Sequence, residues 1–171
     1  MKRGLVYLWT GEGAGKTTSA LGVALRQAGH RHKTIIIQFM KGRKDIGEYK
    51  IRDKLRPYYE IYQFGTRAWV SIKNPSEKDK AYAQKGLEFA YKCLKKKPHL
   101  LILDEINLAV AVGLLKSKQV IDFLDKVPAK TSVYMTGRRA PNSLIKRADF
   151  ATRFTTIKQP RKMIARKGIE Y

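Results

Sequence analysis

Nine consecutive residues, Thr10-Gly11-Glu12-Gly13-Ala14-Gly15-Lys16-Thr17-Thr18, place glycines, a lysine and hydroxyls where they can enclose a chain of phosphates. Glycines let the backbone wrap close to an anion and aim successive N–H groups inward. A helix opening at this point adds partial positive charge, and Lys16 adds a full one. Thr17 can set its hydroxyl on a Mg²⁺ ion while Thr18 reaches a further phosphate oxygen. The usual pattern has a glycine five places before the Gly-Lys pair; here Thr10 holds that place and Gly11 follows one residue late. A glycine-rich turn that binds nothing is the bland alternative, and the ending Gly15-Lys16-Thr17-Thr18 speaks against it. The segment Gly11 to Thr18 is therefore expected to hold a nucleoside triphosphate.

A second group of chemically able residues lies far along the chain, where the apolar run Leu100 to Leu103 leads straight into Asp104 and Glu105. Hard oxygen ligands at the end of a strand suit Mg²⁺, with Mn²⁺ a ready substitute. Glu105 is expected to hold the metal directly and Asp104 through water or from behind. A mere helix cap is the alternative for this pair. The three histidines, His30, His32 and His99, form no constellation with a Ser or Cys, and each reads as a surface or turn residue.

The elements that must carry these residues follow from periodicity. Short β-branched runs at Leu5 to Trp9, Thr34 to Phe39, Tyr59 to Phe64, Leu100 to Leu103 and Ser132 to Thr136 read as strands, with a last one over Phe150 to Ile157. Lys16 to Ala28 is helical and stops at Gly29. Ala83, Leu87, Ala90, Tyr91 and Leu94 recur on one helix face, as do Val120, Phe123, Leu124 and Val127. Such alternation predicts an α/β fold of the P-loop NTPase-like kind, a mostly parallel sheet with helices on both faces. Repeats, low-complexity tracts and linkers are lacking, so residues 1–171 are expected to form a single nucleotide-binding domain.

Composition limits the function classes. The chain has 171 residues, 43% of them apolar, with no stretch of the length and apolarity a membrane span requires and no signal peptide, which predicts a cytoplasmic protein. One cysteine, Cys93, cannot form an internal disulfide and reads as a packing residue. The formal charge of +22 favours anionic partners. From Arg138 onward ten Lys and Arg face two acids, Asp149 and Glu170. These cations lack the interleaved aromatic residues of a base-stacking platform, so nucleic acid is not expected despite the charge.

The surrounding text narrows the choice among kinases, recombinase-like ATPases and GTPases. The loop is followed by Ala24-Leu25-Arg26, Ala28-Gly29-His30 and Gln38-Phe39-Met40-Lys41-Gly42. Leu103-Asp104-Glu105-Ile106-Asn107, Thr136-Gly137-Arg138-Arg139-Ala140-Pro141, Ala148-Asp149 and Lys167-Gly168-Ile169-Glu170 come after. In this order, over nearly the whole chain, they resemble the ATP:cob(I)alamin (corrinoid) adenosyltransferases of the P-loop type. The resemblance implies transfer of the 5′-deoxyadenosyl group of ATP to the cobalt(I) of a corrinoid such as cobalamin, with release of triphosphate, in adenosylcobalamin biosynthesis or salvage. It also implies an electron-donating flavoprotein reductase as partner and a homodimer.

By the same resemblance Arg26 is a second phosphate ligand, Gln38 meets the ribose or base, and Arg138 faces the site. Trp69, in Phe64-Gly65-Thr66-Arg67-Ala68-Trp69, is the candidate for the corrin ring contact. The chain departs from the family's usual text at Arg67-Ala68, at Thr152-Arg153-Phe154, where an acid is common, and at Lys158-Gln159-Pro160, where a His is common. Two other classes remain open: a nucleic-acid-stimulated P-loop ATPase, suggested by the charge, and a nucleotide-binding subunit without catalysis that hands a corrinoid onward.

Overall fold

The computed structural model describes residues 3–67, 71–72, 74–162 and 164–171. Six strands appear in chain order: β1 (Val6–Thr10), β2 (Thr34–Phe39), β3 (Tyr59–Phe64), β4 (Leu100–Asp104), β5 (Ser132–Thr136) and β6 (Phe150–Arg153). The helices between them are α1 (Lys16–Gly29), a single turn α2 (Gly47–Lys50), α3 (Glu77–Leu94), α4 (Ile106–Ala111), α5 (Ser117–Leu124) and α6 (Asn142–Arg147). The strands form one sheet in the order β3-β2-β4-β5-β1-β6, and every pairing is parallel. This α/β architecture agrees with the class expected from the alternation of strand and helix patterns.

Parallel strands need a crossover between them, and the helices of those crossovers cover both faces of the sheet. β2 and β4, in the middle, are buried at every position, which explains their uninterrupted apolar text. Ile35, Ile37 and Phe39 point with Leu101 and Leu103 toward Ala83, Leu87 and Ala90 of α3 and Val120 and Phe123 of α5. Ile36 and Ile102, one residue out of phase, face Ala20 and Ala24 of α1 on the opposite side. The period of two thus sorts each strand between two cores. Cys93 is buried in the larger one, as a packing residue should be.

Several boundaries moved. β6 ends at Arg153, not at Ile157, because pairing with β1 runs only from Tyr7↔Phe150 to Thr10↔Arg153. Helix α1 continues through Gly29; the residue that turns left-handed after it is Arg31, with φ 57. The start of α3 is fixed by Ser76, whose Oγ accepts from the Asp79 N–H at 3.2 Å while Asp79 accepts the Ser76 N–H at 3.0 Å. This reciprocal cap satisfies two amide donors that the first turn would otherwise leave open. Asp149 plays a structural part. It accepts the Val6 N–H at 2.8 Å and pairs with Arg3 at 2.7 Å, tying the start of β1 to the start of β6.

Candidate functional site

All strands point the same way, so their carboxyl ends gather on one edge, where β1, β2, β4 and β5 deliver the loops that carry the chemistry. The loop after β1 turns at Gly11 (φ 101) and Gly15 (φ 104), a conformation that only glycine adopts without strain. It is also seated from behind. Phe154, just past β6, donates its N–H to Thr10 O at 2.8 Å and accepts the Gly13 N–H at 3.0 Å. A Cβ on Gly13 would meet the backbone of Phe154 and Thr155 at 2.9 Å. One of the amides expected to face an anion is therefore committed to the protein, and Gly13 is glycine because another chain segment lies against it.

Lys16 opens α1 and folds its side chain across the loop, donating from Nζ to Gly11 O at 2.7 Å and Gly13 O at 2.5 Å. Its burial holds the ammonium below the usual lysine range. A charged donor held by two carbonyls is poised to exchange them for phosphate oxygens. Thr17, beside it, donates its hydroxyl to Asp104 Oδ1 at 2.8 Å.

Asp104 and Glu105 behave differently although they are neighbours. β5 lies between β1 and β4 in the sheet, and its last residue bridges the gap. Thr136 Oγ1 donates to Asp104 Oδ1 at 2.6 Å and accepts the Glu105 N–H at 3.0 Å. Asp104 is 1% exposed, and its other oxygen accepts from Gln38 Nε2 at 3.0 Å and Lys41 Nζ at 2.8 Å. Burial alone would raise this carboxyl, but Lys41 and the hydroxyls of Thr136 and Thr17 hold it below the usual range, so it is ionised. Glu105 sits left-handed (φ 64) at the head of α4, and its Oε2 is buried with no hydrogen-bond partner among the described residues. Burial, and then the adjacent Asp104, push its carboxyl above the ordinary value.

These groups open on a cleft of about 1000 Å³. Its wall includes Gly13, Ala14, Gly15, Lys16, Thr17 and Thr18 of the loop, with Glu105 and Arg138. Gly11 and Glu12 line a second hollow on the far side of the same loop, beside Arg139 and Arg153, and Glu12 pairs with Arg138 at 3.5 Å. Gln38 is wholly buried between Asp104 and Gln63, whose Nε2 donates to Gln38 Oε1 at 3.0 Å; it stands behind the carboxylate instead of on the cleft wall. Arg26 lies exposed in the last turn of α1, ten residues or about 15 Å of helical rise from Lys16. Trp69 falls outside the described residues.

Three features of this end of the molecule went unassigned from sequence. Lys41 carries a charge to Asp104, and only its place in the Met40-Lys41-Gly42 text hinted at it. Asn107, fully buried, donates from Nδ2 to Trp9 O at 3.1 Å and Gly137 O at 3.5 Å, tying α4 to the ends of β1 and β5. The closing residues Gly168 to Tyr171 also line the cleft, and the Arg43 guanidinium lies 5.3 Å from the Tyr171 ring centre. Contacts between segments tens of residues apart or more leave no local trace in a sequence.

Residues 2–171 match the family described as ATP:corrinoid adenosyltransferase BtuR/CobO/CobP. A corrinoid adenosyltransferase of a Sinorhizobium species is 31% identical over 176 residues, which cover 99% of this chain and 81% of that protein. The corrinoid adenosyltransferase of Escherichia coli is 30% identical over 92% of this chain and 79% of its own length; that of Pseudomonas aeruginosa is 30% identical over 99% and 85%. With a loop, two carboxylates and a cleft in place and the match running nearly end to end, the chain belongs to the ATP:corrinoid adenosyltransferase family.

Proposed function

We propose that this protein transfers the 5′-deoxyadenosyl group of ATP to the cobalt(I) of a corrinoid and releases inorganic triphosphate. The observation that carries this reading is the meeting of Lys16, Thr17 and Glu105 at one cleft, with Asp104 bound behind Thr17, inside a chain of this family. In the transfer, an electron pair on cobalt forms the bond to the 5′ carbon while the C5′–O bond breaks and its pair leaves with the triphosphate. No general base takes part, since the nucleophile is the reduced metal of the substrate.

What the chain contributes is charge and position. The loop amides and Lys16 hold the triphosphate, and Lys16 stabilises the charge it gains on leaving. Thr18 reaches a further phosphate oxygen, and Arg138 stands at the rim of the same wall. Mg²⁺ fits the donor set: Glu105 Oε2 is a buried carboxylate oxygen without a partner among the described residues, and the Thr17 hydroxyl and Asp104 supply further hard oxygens. Among the described residues no cluster of three or more His, Cys, Asp or Glu forms a closed metal cage. An ion at this site would be held by one or two carboxylates together with substrate phosphates. Bound there, Mg²⁺ or Mn²⁺ supplies positive charge to the triphosphate oxygens.

The corrin contact is assigned to Trp69 on the family resemblance alone, as are a ribose or base role for Gln38 and a phosphate role for Arg26. Gln38 donates to Asp104 from behind, and Arg26 lies exposed in the last turn of α1. By the same resemblance the protein acts in the cytoplasm as a homodimer served by a flavoprotein reductase. No helix among the described residues is long and apolar enough to cross a membrane.

An anaerobic absorbance assay with chemically reduced cobalamin, MgATP and Lys16→Ala as control tests the reading. Light-sensitive adenosylcobalamin and triphosphate should form, and the variant should make neither. ATP binding without a cobalt–carbon bond on any corrinoid tried would overturn it and turn attention to phosphate release stimulated by nucleic acid.

A further inference from the structure

Lys41 has no part in the loop after β1, yet its side chain ends among the same groups. It follows β2 through Met40, which is left-handed at φ 59 and donates its N–H to Phe64 O at 2.9 Å. The backbone on either side leaves no slack. A Cβ on Gly65 would meet Lys41 N and Met40 C at 2.6 Å, and a Cβ on Gly42 would meet Thr66 C at 2.6 Å. Real Cβ atoms do not approach so closely, so residues 40–42 and 65–66 are pressed backbone to backbone, and the origin of the Lys41 side chain is fixed.

From there Nζ reaches Asp104 Oδ2 at 2.8 Å and, at the limit of hydrogen bonding, Thr17 Oγ1 at 3.5 Å. A lysine ammonium has three donors, which leaves one uncommitted among the described residues. Asp104 does not depend on Lys41 for hydrogen bonds, since Thr17, Thr136 and Gln38 already donate to it. A lysine needed only to neutralise a carboxylate could be sealed in with it. Lys41 instead keeps 28% of its side chain exposed and lines the cleft beside Lys16, Thr17 and Glu105.

Local charge gives this cation weight. For all the +22 of the chain, the cleft wall itself is balanced: Lys16, Lys41 and Arg138 face Glu48, Glu105 and Glu170. Asp104, paired with Lys41 from directly behind the wall, tips this balance to net negative, and removal of any one cation deepens it, an environment that repels a polyanion.

We propose that Lys41 is a second lysine of the triphosphate site, held from the β2 side by Asp104 as Lys16 is held by the loop carbonyls. Its free donor meets a phosphate oxygen and stabilises the electron pair that the triphosphate carries away when the C5′–O bond breaks. This rests on the transferase reading given above. Because Thr17 and Asp104 also serve the metal side of the site, Lys41 joins the two halves of the leaving group's environment.

Calorimetric titration of inorganic triphosphate, ATP and AMP, with and without Mg²⁺, tests it on the wild type, Lys41→Gln, Lys41→Arg and the control Lys16→Ala. Lys41→Gln can keep a hydrogen bond to Asp104 while losing the charge. It should bind inorganic triphosphate and ATP about tenfold more weakly, with AMP unchanged and Lys41→Arg recovering most of the loss. Wild-type affinity for triphosphate in Lys41→Gln, or an equal loss for AMP, overturns the proposal, the second outcome making Lys41 a positioning residue for Asp104. If Lys41→Gln fails to fold, Lys41→Met decides through the same comparison of triphosphate with AMP: a loss selective for triphosphate supports contact, and an equal loss or none refutes it. Failure of the wild type to bind triphosphate sinks the transferase reading and Lys41 with it. Binding that is lost in Lys16→Ala and kept in Lys41→Gln sinks the role of Lys41 alone.

Discussion

Two charged clusters sit at opposite ends of the sheet, and they are built on opposite plans. Near the amino ends of the strands, Glu60 of β3 is ion-paired with Lys33 at 2.5 Å and Lys96 at 3.0 Å and accepts the Tyr62 hydroxyl at 2.8 Å. At the carboxyl ends, Glu105 keeps a buried oxygen with no partner among the described residues, and Lys16 makes do with the carbonyls of its own loop. Burial would raise both glutamates. It prevails at Glu105, whereas at Glu60 the hydrogen bonds from Lys33, Tyr62 and Lys96 bring the carboxyl down to about 2. A carboxylate with all its partners inside the chain adds to stability, and one left short is available to a ligand.

That contrast can be broken at several points. Lys16→Ala should have the largest effect, lowering ATP affinity about 100-fold (~2.7 kcal/mol) while the melting temperature changes little, read by titration and thermal melting. Glu105→Gln should weaken Mg²⁺-dependent nucleotide binding about tenfold and raise the melting temperature at neutral pH. The sign follows from linkage. A carboxyl whose folded value lies above its unfolded one binds more protons when folded, so its ionised form at pH 7 opposes folding. A lower melting temperature in Glu105→Gln would mean that its free oxygen has a partner.

Glu60→Gln should do the reverse, costing about 1.5 kcal/mol of stability in denaturant unfolding at pH 7 and leaving nucleotide affinity alone. Its folded value is depressed, so the stability it contributes is full above about 4.5 and disappears as the pH falls toward about 2. Denaturant midpoints measured over that window should fall less steeply in the variant. The smallest effect is expected at Arg138, which is more than half exposed and paired with an exposed Glu12. Arg138→Ala should weaken ATP by about threefold (~0.7 kcal/mol), and a loss as large as that of Lys16→Ala would place it among the principal phosphate ligands.

The two clusters also differ in how much of them could be read from the chain. Lys16, Thr17, Asp104 and Glu105 were legible because each belongs to a short motif whose spacing is imposed by one strand end. The Glu60 cluster was not, since Lys33 and Lys96 come from segments 27 and 36 positions away and are common residues in this sequence. The roles of Gln38 and Arg26 were taken from resemblance, and the local sequence says nothing of where their side chains lie. Gln38 is the instructive case: at the end of a strand it could have pointed to either face or outward, and pairing with Asp104 across the β2–β4 ladder fixed it inward.

The sequence by itself marked the six strands, the helical stripes of α1, α3 and α5, the turn at Gly11 to Gly15 and the carboxylates at the end of β4, but not α2, α4, α6 or the end of β6. These are local consequences of backbone geometry and side-chain type. Only the tertiary structure decided that β5 separates β1 from β4, that Thr136 joins Asp104 to Glu105, and that Phe154 seats the loop. It also brought Lys41 to Asp104 across 63 residues. Strand order and the satisfaction of buried charges depend on which distant segments pack together, and nothing in the local pattern of a parallel strand specifies its neighbour.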